Sequence, residues 1–173
     1  MLIIDAFAFC RTGEQQAGKL TVPELTRLRA ECVSDEGGIE WQLVGGSHAN
    51  GFPLLNLTVT GTVQLMCQRC LTPFVFQIQS STKIILAKDE QTADEIDASL
   101  EDDEIEVIVG SKAFDILVLI EDEALLAIPL SPKHEVCPTK EKLDAFATAK
   151  KESPFAALKD QFLIAKPVGK IKN

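Results

Sequence analysis

Residues 54–78 read LLNLTVTGTVQLMCQRCLTPFVFQI. From Leu55 the odd positions carry Leu55, Leu57, Val59, Gly61, Val63, Leu65 and Cys67, and the even positions carry Asn56, Thr58, Thr60, Thr62 and Gln64. A period of two sustained this long predicts a strand with one buried face and one wet face. Gly61 marks a bulge or a bend within it. After the cysteines, Phe74, Phe76 and Ile78 oppose Val75, Gln77 and Gln79, and the run continues towards Ile84 and Leu86. Two such strands pair antiparallel, with CQRCLTP as the loop between them. The expected fold is therefore α+β, with a mostly antiparallel sheet centred on a long hairpin of residues 54–67 and 73–87.

Downstream of the hairpin, residues 89–106 read DEQTADEIDASLEDDEIE. So acidic and apolar-poor a stretch predicts a mobile loop over about residues 89–104. It serves either as a solvated linker or as an acidic arm for a basic partner. EVIVG is then a strand, and Asp115 is an N-cap for ILVLIEDEALLAI, a helix over 115–128 packed on the sheet and stopped by Pro129. Glu121-Asp122-Glu123 reads as the solvent side of that helix. Upstream, Thr21-Val22-Pro23-Glu24 forms a capping box that predicts a short helix over about 22–32, closed by Gly37-Gly38. IEWQLVGG alternates as a strand, and Gly45-Gly46 through Asn50-Gly51 supplies turn residues.

The 173 residues suit a core domain, 1–138, followed by a basic tail, 139–173. In that tail Ser153-Pro154 opens a short helix with Phe155, Leu158 and Phe162 on one face, and KPVGKIKN is expected to be disordered. The net charge is −9, which excludes one broad basic surface along nucleic acid. From Lys133 onward, however, nine lysines face five acidic residues. No apolar run reaches the roughly 18–20 residues of a membrane span, so no membrane contact is expected. MLIIDAFAFC lacks the basic start of an export signal. A reducing cytoplasm is the expected home, and the odd count of five cysteines argues against a disulfide framework. Dinucleotide, Walker and nucleophile-elbow signatures are absent, and His48 lies in a Gly/Ser/Asn turn with no partner in sequence.

Cys67 and Cys70 are the candidate chemistry. A dithiol oxidoreductase usually sets its Cys-x-x-Cys at a helix N-terminus, where the dipole favours the thiolate; here two strands flank it. Metal knuckles are commonly hairpin tips, and tetrahedral zinc then needs two more ligands. His134 and Cys137 form a second pair with the same spacing. Cys67, Cys70, His134 and Cys137 would make a closed structural zinc site with no open position. Two other readings stand beside it: a tight turn holding small apolar cysteines, and a redox dithiol.

The Cys-x-x-Cys block, the acidic insertion, IEDEALLAIPLSPKHEVC and the terminal SPFAALKDQF, taken in order, resemble the bacterial YceD family, the large ribosomal RNA subunit accumulation proteins. The resemblance runs from about Leu54 to Phe162. It implies a cytoplasmic protein needed for accumulation of large-subunit (23S) ribosomal RNA, hence a role in ribosome biogenesis, and it implies no known reaction; the expected function is a non-enzymatic factor in that process. The charge pattern adds two expected contacts of its own: the acidic body with a Lys/Arg-rich ribosomal or assembly protein, and the basic tail with rRNA. The rival functions are a zinc-stapled interaction module for a non-ribosomal partner, and a thiol oxidoreductase.

Overall fold

The computed structural model describes residues 2–100 and 105–138. The chain divides into two compact units, 1–135 and 136–173. The expected tail helix lies outside the described residues. In chain order the first unit contains β1 (Ile3–Ile4), α1 (Ala6–Thr12), β2 (Gln15–Thr21), a 3-10 turn (Val22–Glu24), α2 (Thr26–Glu31), β3 (Gly37–Ser47) and β4 (Pro53–Met66). β5 (Pro73–Ala87), α3 (Glu90–Ser99), β6 (Ile105–Val109), β7 (Phe114–Asp115) and α4 (Ile116–Leu126) complete it.

The long hairpin is the centre of the architecture. β4 and β5 pair antiparallel from Leu54↔Ile85 to Met66↔Pro73. The sheet order is β2-β3-β4-β5-β6, antiparallel except for the β5–β6 pair, and β1 pairs with β7 separately. Leu55, Leu57, Val59, Val63 and Leu65 are all buried, as the alternation predicts, and they share one core with Trp41, Ile84 and Leu86. Gly61 sits in this face because β3 comes close: a Cβ there would lie 2.2 Å from the Gly38 carbonyl oxygen.

α4 closes that core with Ile116, Ile120 and Ala124, four residues apart and buried. Its start follows the expected cap, with the Asp115 carboxylate accepting the Leu117 N–H at 3.0 Å. The helix ends at Leu126, two residues short of the predicted limit.

Several expectations need correction. The segment read as a mobile acidic loop is helical over 90–99, and residues 101–104 are not described. Asp89 caps α3 by accepting the Thr92 N–H at 2.8 Å. Ala93 and Ile96 then pack with Ile85, Ala87 and Ile105 in a second cluster. These lie on the opposite face from Ile84 and Leu86, so α3 covers the far end of the sheet, and β5 is buried on both sides from Ile84 to Ala87. One helix on one face thus becomes helices on both.

The helix expected over 22–32 is divided. The Thr21–Glu24 capping box forms, but it starts a 3-10 turn, and α2 begins afresh at Thr26. Gly37-Gly38 and Gly45-Gly46 lie inside β3 rather than at turns; the connection to β4 is 48–52.

The largest correction concerns Glu121-Asp122-Glu123. Glu121 and Glu123 are buried, not on a solvent stripe. α2 lacks a local side-chain cap, so its first amides need acceptors from elsewhere. The Glu121 carboxylate supplies them, taking the N–H groups of Arg27 (2.6 Å) and Leu28 (3.2 Å) together with Arg27 Nε (2.9 Å). Asp122 accepts Arg27 Nη1 at 2.6 Å. Glu123 turns the other way and accepts the Ser80 and Thr82 hydroxyls of β5, each at 2.7 Å. One acidic triplet therefore ties α4 to α2 on one side and to the sheet on the other.

Candidate metal centre

The hairpin tip folds back tightly after Met66. The Cys67 N–H donates to the Thr72 carbonyl at 3.1 Å, and the Leu71 N–H donates to the Cys67 carbonyl at 2.9 Å. Leu71 must adopt a left-handed backbone, φ 56°, to complete this turn. The segment after α4 is held across the tip: the Gln68 N–H donates to the Pro132 carbonyl at 2.9 Å, and Arg69 Nη2 donates to the His134 carbonyl at 3.1 Å.

Those contacts bring His134 onto the cysteines. Its Nδ1 lies 3.4 Å from Cys70 Sγ, and its ring packs on Phe74 with centroids 4.8 Å apart. The Thr72 hydroxyl is 3.1 Å from the same sulfur. Cys137 follows His134 by three residues, and the ligand atoms of Cys67, Cys70, His134 and Cys137 all lie within 4.8 Å of one another. A tetrahedral zinc site with Zn–S bonds of about 2.3 Å sets its sulfurs about 3.8 Å apart. Cys67 and Cys137 are buried, and Cys70 and His134 are half-buried. All four residues singled out in the sequence are brought together, and the cluster can hold a metal ion.

The electrostatics suit a cation. Burial opposes ionisation of Cys67, yet its pKa falls to about 5. The backbone amides of His134, Cys70 and Arg69 and the His134 ring all donate towards the sulfur and outweigh that penalty. His134 shifts upward, chiefly through its hydrogen bond to Cys67, against a desolvation penalty, with Cys70 adding to the rise. Three sulfurs and one imidazole form a soft donor set of the kind that selects zinc over magnesium or calcium. No helix begins at either hairpin cysteine, so the lowered Cys67 pKa owes nothing to a helix dipole. The supporting groups Thr72, Phe74 and Arg69 were not singled out in the sequence; only their proximity to the Cys-x-x-Cys pair hinted at them.

Fold and site together define an α+β protein with a cluster of three cysteines and one histidine at the tip of its longest hairpin. The sequence model of the family described as "Large ribosomal RNA subunit accumulation protein YceD" matches residues 55–161. That is more than half of the chain, and the protein belongs to this family. Its description carries a role in accumulation of large-subunit ribosomal RNA. No solved structure matches the chain. Among the described residues no helix is long and apolar enough to cross a membrane.

Proposed function

We propose that this protein is a non-enzymatic, zinc-stapled factor in large-subunit assembly. Its acidic body docks a Lys/Arg-rich ribosomal or assembly protein, and its basic tail, 139–173, contacts rRNA. The observation that carries the reading is the four-ligand cluster. With three thiolates and one imidazole bound, tetrahedral zinc has no vacant position for a substrate, so it fixes the hairpin tip to the segment behind α4. The net charge of −9 favours a basic protein over bare RNA for the body. The tail lysines supply the phosphate-neutralising charge that RNA affinity requires.

A thiol oxidoreductase is the second reading, and the depressed Cys67 pKa favours it. The same depression favours a metal ligand, and Cys137 completes a four-ligand set that a dithiol does not require. Elemental analysis of the full chain, purified without chelator, separates the two. The expected value is about one zinc per chain, falling to near zero in Cys67→Ser. Below about 0.2 zinc per chain the staple fails. The assembly role is tested by affinity purification from growing cells, which is expected to recover large-subunit precursor particles. Deleting residues 139–173 is expected to flatten the salt dependence of any rRNA binding.

A further inference from the structure

Among the described residues, β5 has a neighbour on one side only from Pro73 to Thr82, because β6 joins its other side between Lys83 and Ala87. Among the described residues no strand or backbone hydrogen bond occupies that free edge. Ten residues at about 3.3 Å each leave roughly 33 Å of open edge. Its sequence, PFVFQIQSST, contains no charge, although exposed edges are normally blunted by charge, a bulge or a cover.

Side chains on both faces of the edge indicate what it takes. Val75 is 63% exposed on one face, and Phe74 and Phe76 are only half-buried on the other. The Glu123 carboxylate, 4% exposed, accepts hydrogen bonds from the hydroxyls of Ser80 and Thr82 on this same strand. Among the described residues no cation pairs with it, whereas Glu121 and Asp122 share Arg27. A buried carboxylate without a counter-charge is costly, and an arriving cation relieves that cost.

We infer that the free edge of β5 receives an extended segment of a Lys/Arg-bearing partner protein as an added strand, with one cation of that segment reaching Glu123. Main-chain bonds supply the affinity, and the contacts to Phe74, Phe76 and Glu123 supply the selectivity. A second copy of this chain would bring one acidic body against another, so charge favours a basic partner. The inference rests on the assembly reading and gives it a location.

The test uses the full chain. Val75→p-benzoylphenylalanine is irradiated in growing cells, and the captured segment is sequenced. Affinity is then measured on ten-residue peptides tiled through the large-subunit ribosomal proteins of the same cells. The expected capture is a Lys/Arg-bearing segment of another protein, matched by a binding peptide. Glu123→Gln and Val75→Lys are each expected to weaken that peptide about tenfold. Capture of a second copy, or of residues 139–173 of the same chain, overturns the inference. So does a peptide affinity within twofold of the native value in both variants. If the native chain recovers no large-subunit precursors, the assembly reading fails and this placement with it. If native chain and Val75→Lys recover precursors equally, only the edge placement fails.

Discussion

Replacing Glu121 with alanine removes the carboxylate that caps α2 from across the core. Leu28 is fully buried, so its N–H loses the Glu121 acceptor without gaining water. Leaving such a donor unpaired costs about 1–3 kcal/mol, and losing the contact to the half-exposed Arg27 guanidinium adds about 1 kcal/mol. Glu121→Ala should therefore destabilise the fold by about 3 kcal/mol. Glu121→Gln keeps one acceptor oxygen for the amides but loses the charge and turns an NH2 donor towards Arg27 Nε–H, for a cost of about 1.5 kcal/mol. The pH dependence separates charge from packing. Burial alone would raise the Glu121 pKa, but the Arg27 side chain and the Leu28 and Arg27 amides bring it below the ordinary value. The unfolded state then binds the proton more readily than the folded state does. The carboxylate's contribution is complete above the unfolded value of about 4.3 and is lost as pH falls through the lower folded value. Urea unfolding read from Trp41, the single tryptophan, measures both effects. The difference between native protein and Glu121→Gln should be constant above about pH 5 and shrink below it. A cost under about 1 kcal/mol for Glu121→Ala, or a difference that does not shrink in acid, would refute the long-range cap.

Three further outcomes follow from local geometry. Leu71→Gly should stabilise the chain by up to about 1 kcal/mol, because Leu71 is 71% exposed and pays for a left-handed backbone that glycine adopts freely; unfolding curves that show a loss would contradict the strain. Gly61→Ala should cost about 2 kcal/mol or more and lower the Tm, since its methyl would press on the Gly38 carbonyl rather than on a movable side chain. Asp89→Ala should cost about 1 kcal/mol through its cap and speed hydrogen exchange within 92–99 ahead of global unfolding; unchanged exchange there would separate the cap from helix stability.

The hairpin was legible because its alternation is long and each face is chemically uniform. The Asp115 cap and the two cysteine-containing pairs were legible for a related reason: each is a local pattern whose chemistry does not depend on distant neighbours. The burial of Glu121 and Glu123 was not, because the partners that make it tolerable sit at residues 27–28 and 80–82, remote in sequence. α3 was missed on composition. Its apolar content is confined to Ala93, Ile96 and the flanking Leu100, and that sparse stripe suffices only because Ile85, Ala87 and Ile105 meet it. The glycines of β3 read as turns because glycine usually marks them; here close approach of neighbouring backbone, at Phe9 over Gly45 and at Thr62 over Gly37, requires a residue without a Cβ. β1, α1 and β2 carried no pattern strong enough to separate from a loop; β1 pairs with β7, β2 pairs with β3, and α1 buries Ala6, Phe9 and Cys10.

The two halves of the cysteine/histidine cluster lie far apart along the chain, with His134 64 positions after Cys70. On a ribosome, the thiol pair emerges well before the pair that completes it. A nascent chain thus passes through an interval in which two thiols sit at the end of a finished hairpin, able to catch a thiophilic ion but not to enclose it. On the proposed zinc reading, metal capture would be a late event in the life of each new molecule, and cells short of zinc would accumulate chains that are built but not yet locked.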